Sequence, residues 1–163
     1  MTRTNPTMIR AVFFDVGETL VDETRHWGLW ADYLKIPRLT FFAVLGAVIQ
    51  KGLHHREVFK IFDPKFDPDL AWRERQFRGE TYSFLPTDFY PHALPCLRNL
   101  KKAGYLVGIA GNQPEGCEAA LRNAGIDADV VASSSAWGIE KPSPVFFERI
   151  ASEAVYLRAQ LFT

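Results

Sequence analysis

Three apolar stretches of this sequence each lead into a group able to do chemistry. Ile9 to Phe14 runs into the carboxylate of Asp15, and Tyr105 to Ala110 runs into Gly111-Asn112. Ala128 to Ser133 is followed by a loop that leads to Lys141. Read as strands, the three deliver a carboxylate, a carboxamide and an ammonium to one edge of a sheet, the carboxyl edge where α/β folds place their substrates. Val12, Phe13 and Phe14 are contiguous, and apolar residues on both faces suit the interior of a parallel sheet. Such a strand needs burial, whereas its terminal carboxylate does not.

The segments between these strands have a helical period. Ala93, Leu94, Leu97 and Leu100 form one apolar stripe on a helix that stops at Ala103-Gly104. A second helix is expected from about Pro114 to Asn123. A Ser-rich loop, Ser133-Ser134-Ser135, follows the third strand, and Pro144 opens a last helix to about Ala154. Helices between short buried strands predict an α/β fold. The expectation is a three-layer Rossmann-like core, a parallel sheet covered on both faces with right-handed crossovers.

Residues 22–88 contain no convincing alternating strand. Trp27, Trp30, Ala31 and Leu34 fall at helical spacing up to about Ile36, before Pro37. A second helix spans Phe41 to Ile49, with Thr40 as its N-cap and an end near Gly52. Short helices over about 56–62 and 70–78 follow. Residues 22–88 therefore read as a helical cap, inserted between core segments 1–21 and 89–163. Trp27, Trp30 and Trp72 read as packing residues. His26, His54 and His55 have no Cys or acidic partners at metal-ligand spacing.

Composition narrows the function classes. With 163 residues, a single domain with an insertion can bury roughly 70% of its unfolded surface. Lys plus Arg and Asp plus Glu both number 19, so no global field favours nucleic acid or an anionic membrane. No apolar run reaches the roughly 20 residues that a membrane span takes. Cys96 and Cys117 are expected to be reduced thiols, too few for a structural zinc site. Residues 1–8 are polar and do not resemble a signal peptide, so a cytoplasmic protein is expected.

Taken in order, these features resemble the haloacid dehalogenase superfamily of hydrolases, in the branch with a helical cap inserted after the first strand. Phe13-Phe14-Asp15-Val16-Gly17-Glu18-Thr19-Leu20 looks like the first motif, and residues 22–88 look like the cap. Val107 to Asn112 is similar to the second motif, and Gly138 to Phe147, with Lys141-Pro142-Ser143-Pro144, to the third. The resemblance implies Asp15 as a covalent nucleophile, Thr19 as a residue that fixes the loop and orients the transferring group, and Lys141 as the cation that neutralises developing charge. It implies an anion-binding loop at Gly111 and Asn112. It also implies Mg²⁺ held by Asp15 and the backbone carbonyl of Gly17. The activity implied is Mg²⁺-dependent hydrolysis of a small phosphorylated metabolite.

The sequence departs from the pattern at three places. Phosphatases of the family carry a second aspartate two residues after the nucleophile, a general acid–base worth about 10²–10⁴ in rate. Gly17 stands there. Branches that act on carbon–halogen or phosphonate bonds also lack that aspartate, so a dehalogenase- or phosphonatase-like hydrolase is the alternative. Gly111 replaces the Ser or Thr of the second motif. The acidic fourth motif, source of most Mg²⁺ ligands, has no counterpart, since no acid follows Glu153.

In the family a fourth strand would open at about Leu161-Phe162-Thr163 and lie beside strand one. The expectation is therefore a core whose fourth strand is incomplete or missing, either because the chain is shortened before the motif or because the protein is degenerate. Weak or absent turnover is expected of this chain, and a non-catalytic binding or oligomerisation role stays open. Strand one would be an exposed edge able to recruit a second copy.

Overall fold

Leu106, Val107, Ile109 and Ala110 are buried on both sides of one strand, and the rest of the sheet is built around it. In the computed structural model, which describes residues 9–161, that strand is β2 (Leu106–Gly111). It lies between β1 (Ala11–Phe14) and β3 (Val130–Ser133), and both pairings are parallel. Phe14 is level with Ile109, and Gly111 with Ser133. Parallel pairing brings the three carboxyl ends, and therefore Asp15, Asn112 and Ser133, to one edge.

Side-chain alternation sorts the two faces. Val107, Ile109 and Val131 pack with Leu97 of α5 (Ala93–Lys102) and with Cys117 and Leu121 of α6 (Cys117–Asn123). Leu106, Ala110, Val130 and Ala132 pack with Phe146 of α8 (Pro144–Leu161), joined by Ile150 and Leu157 from the same helix face. The three layers are helix, sheet and helix. Gly108 takes part through its missing side chain. A Cβ there would lie 2.1 Å from the Phe13 ring, which is level with it on β1 and covers it.

Several local expectations are corrected. The serines after β3 do not form a loop. Ser133 ends the strand, and its hydroxyl accepts from the backbone N–H of Ala136 at 3.1 Å, capping a short helix, α7 (Ser134–Trp137). α6 begins at Cys117 rather than Pro114. α8 continues past Ala154, because Ala154 to Leu161 is composed largely of good helix formers and Leu157 reaches the core. Leu161 is therefore helical where a strand was expected to open, while Phe162 and Thr163 lie outside the described residues. Among the described residues β1 is an edge strand, half-buried along its length.

The chain divides into two compact units, the sheet unit up to Asp22 and from Tyr82 onward, and a helical unit of Glu23–Thr81. Residues 82–88 lie with the sheet. Phe84 packs in its core, the Asp22 N–H donates to Asp88 O at 2.8 Å, and Phe89 bridges Val21.

The helical unit comprises α1 (Thr24–Tyr33), α2 (Arg38–Gln50), α3 (Glu57–Phe62) and α4 (Pro68–Phe77). Phe41, Leu45, Val48, Val58 and Phe59 form its core. Trp27 and Trp30 pack against it, Trp27 within 6.2 Å of the Phe41 ring. α2 starts at Arg38, directly after Pro37, so Thr40 is not its N-cap. Arg38 pairs with Asp32 through two hydrogen bonds, of 3.0 and 2.6 Å, and this ties the start of α2 back to α1. Asp67 caps α4 by accepting from the backbone N–H groups of Asp69 and Leu70. Arg75 is buried, with its guanidinium 4.8 Å from the Trp30 ring, 5.5 Å from Tyr33 and 5.4 Å from Trp72, and it donates twice to Glu80.

Candidate functional site

Asp15 is the first residue beyond β1, so its main chain leaves the ladder while its carboxylate stays at the sheet end. Oδ1 accepts from the backbone N–H of Val16 at 2.8 Å. Oδ2 lies 2.8 Å from the Lys141 ammonium. Each oxygen therefore faces one donor, and the carboxylate remains partly open, its side chain 44% exposed against 22% for Lys141.

The turn after Asp15 is a tight backbone knot. Val16 O accepts from the N–H groups of Thr19, Leu20 and Val21, and Gly17 bridges Val21. Glu18 adopts a left-handed backbone, φ +52°, and its carboxylate accepts from the Tyr90 hydroxyl at 2.7 Å. Its side chain is thus turned to Tyr90, 72 positions along the chain, and does not replace the acid missing at Gly17. Thr19 sits exposed on this turn, its N–H donating to Val16 O at 3.3 Å.

Asn112 and Lys141 meet through main chain. The Asn112 side-chain oxygen accepts from the Lys141 N–H at 2.7 Å, and its nitrogen donates to the Lys141 carbonyl at 2.8 Å. Gly111 is buried against the nucleophile candidate. A Cβ at 111 would fall 2.7 Å from Asp15 Oδ1. A serine or threonine there would displace a carboxylate that Val16 and Lys141 hold from two sides.

The structure thus brings together Asp15, Gly111, Asn112 and Lys141 from three chain segments. Sequence reasoning missed the layer behind them. Gln113 is buried, and its Oε1 accepts from the Tyr82 hydroxyl at 3.4 Å and from the Cys117 thiol at 3.6 Å. Ser133 is also buried and donates to Glu118 at 3.1 Å. A polar residue two positions after a buried strand was the available signal for Gln113. Tyr90 carried none.

Mg²⁺ takes oxygen ligands in near-octahedral geometry. Among the described residues no three His, Cys, Asp or Glu side chains group closely enough to hold a metal ion. The Asp15 carboxylate already carries an ammonium on one oxygen and an N–H on the other. These residues do not fit a bound Mg²⁺. Among the described residues no helix is long and apolar enough to cross a membrane.

No curated protein matches the chain in sequence. Solved structures do match in fold. A dehalogenase superimposes with a TM-score of 0.59 at 22% identity, over 90% of this chain and 71% of that one. The L-2-haloacid dehalogenase of Xanthobacter autotrophicus, solved with chloropropionic acid covalently bound, superimposes with a TM-score of 0.52 at 23% identity, over 89% of this chain and 64% of its own. The family model for haloacid dehalogenase-like hydrolases matches residues 9–155. With a match over most of its length and the α/β core of that fold, the chain belongs to the haloacid dehalogenase-like hydrolases.

Proposed function

We propose that this site performs nucleophilic displacement at carbon, with Asp15 attacking a small haloacid and expelling halide. The observation that carries the reading is the Asp15–Lys141 pair at 2.8 Å, with Gly17 where a general acid would stand. An alkoxide leaving from a phosphate ester needs a proton, which a nearby acid supplies. A halide leaves as a stable anion and needs none. In the first step an Asp15 oxygen forms a C–O bond as the C–X bond breaks, and the halide departs with the bonding pair.

The second step is hydrolysis of the resulting ester. The oxygen that did not attack becomes the ester carbonyl. It keeps a donor in either case, Lys141 if it is Oδ2 and the Val16 N–H if it is Oδ1. Water adds to that carbonyl, and the donor stabilises the oxyanion that develops. Collapse releases the hydroxy acid and a proton and restores the carboxylate. No metal enters either step.

Incubation with 2-bromopropionate, without metal, followed by intact-mass measurement is the direct test. An ester adduct on Asp15 and release of bromide are expected, both lost in Asp15→Asn. Hydrolysis of phosphate esters that requires Mg²⁺, with no bromide released, would overturn the reading in favour of a phosphatase.

A further inference from the structure

We propose that Asn112 is a positioning residue that acts through Lys141, and not a contact for the substrate's anion. The inference rests on the reading of Asp15 as nucleophile and assigns the second motif a different task within it. A carboxamide has the same donor and acceptor as a peptide group. Asn112 uses both on one residue, taking the Lys141 N–H at 2.7 Å and giving to the Lys141 carbonyl at 2.8 Å. The pair reproduces what a neighbouring strand would do for Lys141, at a place where β2 has ended and the next segment is a loop.

Holding the main chain matters because a lysine side chain is long and loses much rotamer freedom when fixed. With its backbone anchored, only the side-chain torsions remain to be ordered by the bond to Asp15. Gly111 makes the companion contribution. Its missing Cβ leaves the volume in which Asp15 Oδ1 sits. Two consecutive residues at the end of β2 thus serve the two partners, Gly111 the carboxylate and Asn112 the lysine. The end of β2 sets the separation of the Asp15–Lys141 pair.

The test compares the wild-type chain with Asn112→Ala, Asn112→Asp, Lys141→Met and the Asn112→Ala/Lys141→Met double variant. Two readouts are taken: reductive methylation of Lys141 followed by mass spectrometry, and the single-turnover rate of Asp15 alkylation by 2-bromopropionate. In Asn112→Ala, Lys141 should methylate several-fold faster. The maximal alkylation rate should fall about tenfold with half-saturation unchanged, and the loss should nearly vanish on the Lys141→Met background. Asn112→Asp keeps the acceptor for the Lys141 N–H and should restore part of the protection. It also serves as the second variant if Asn112→Ala does not fold.

A raised half-saturation at unchanged maximal rate would overturn the proposal, as would a loss that persists in full without Lys141. If the wild-type chain forms no adduct, the haloacid reading fails while the methylation readout still decides. Unchanged Lys141 protection in Asn112→Ala then overturns the positioning role.

Discussion

The sheet unit and the helical unit bury their cores with different materials. One face of the sheet is mainly aliphatic, with Val107, Ile109 and Leu97 at its centre, and the Phe146 and Phe13 rings cover the other. The polar groups of the unit gather at the strand ends in short, directed bonds. The helical unit packs rings on rings. Trp27, Trp30, Phe41, Phe59, Phe62 and Phe66 lie in mutual contact, and even its buried cation, Arg75, is enclosed by three aromatic rings. Ring contacts keep most of their energy through small shifts, whereas the bond between a nucleophile and its partner does not. The precise bonds of the site therefore belong to the sheet unit, where β-strand register fixes their heights.

The largest expected effect tests whether the two cores are separable. Phe41→Ala empties the centre of the aromatic cluster and should cost about 3–5 kcal/mol. Hydrogen exchange should accelerate in α1–α4 while the amides of β2 keep their protection. Equal acceleration in β2 would break the distinction and make the two cores one cooperative unit.

Acid should act on the helical unit next. Burial beside Trp27, with the charges of His54 and Arg56 adding to it, lowers the His55 pKa from 6.5 to about 4. Between these values the unfolded chain binds a proton that the folded one refuses. The stability this represents is present in full above pH 6.5 and is lost as pH falls towards 4, by up to about 3 kcal/mol. Urea titrations from pH 7 to 4 should show this slope for wild type and a flatter one for His55→Gln.

Within the sheet, Gly108→Ala sets a Cβ into the volume of the Phe13 ring. Overpacking of this kind should cost about 1–3 kcal/mol, read as a lower Tm. The smallest effect has the opposite sign. Lys35 ends α1 with a left-handed backbone, φ +57°, and Lys35→Gly should stabilise the helical unit by about 1 kcal/mol, read as a raised urea midpoint.

Much of the architecture could be read from residues near one another in sequence. The apolar run into Asp15, the stripe of Ala93, Leu97 and Leu100, and Pro144 at a helix start are local signals, and the structure realises each of them. Asp15, Asn112 and Lys141 could be placed at one edge because parallel strands share a direction. How they are joined could not be read. The bonds from Asn112 to the Lys141 main chain span 29 positions, and those from Tyr90 to Glu18 span 72. Gly111 looked like a lost hydroxyl when read alone, whereas beside Asp15 it is a space the carboxylate requires. The start of α2 was misplaced because Pro37, extended in backbone, already accepts the first helical bond, from the Phe41 N–H at 3.0 Å, so the helix opens at Arg38 before Thr40 can cap it.

The ring of Phe13 over Gly108 carries one more consequence. Alternation forbids a strand to slip by one residue, since every side chain would change face, but it does not forbid a slip of two. The ring does. Shifted by two positions, Phe13 would meet Leu106 or Ala110, and both carry side-chain atoms where Gly108 leaves room. Such a slip would carry Asp15 about 7 Å along the sheet, out of reach of Lys141 and past the gap at Gly111. A residue with no chemistry of its own thereby works as a detent, holding the carboxylate at the one height where its partners can meet it.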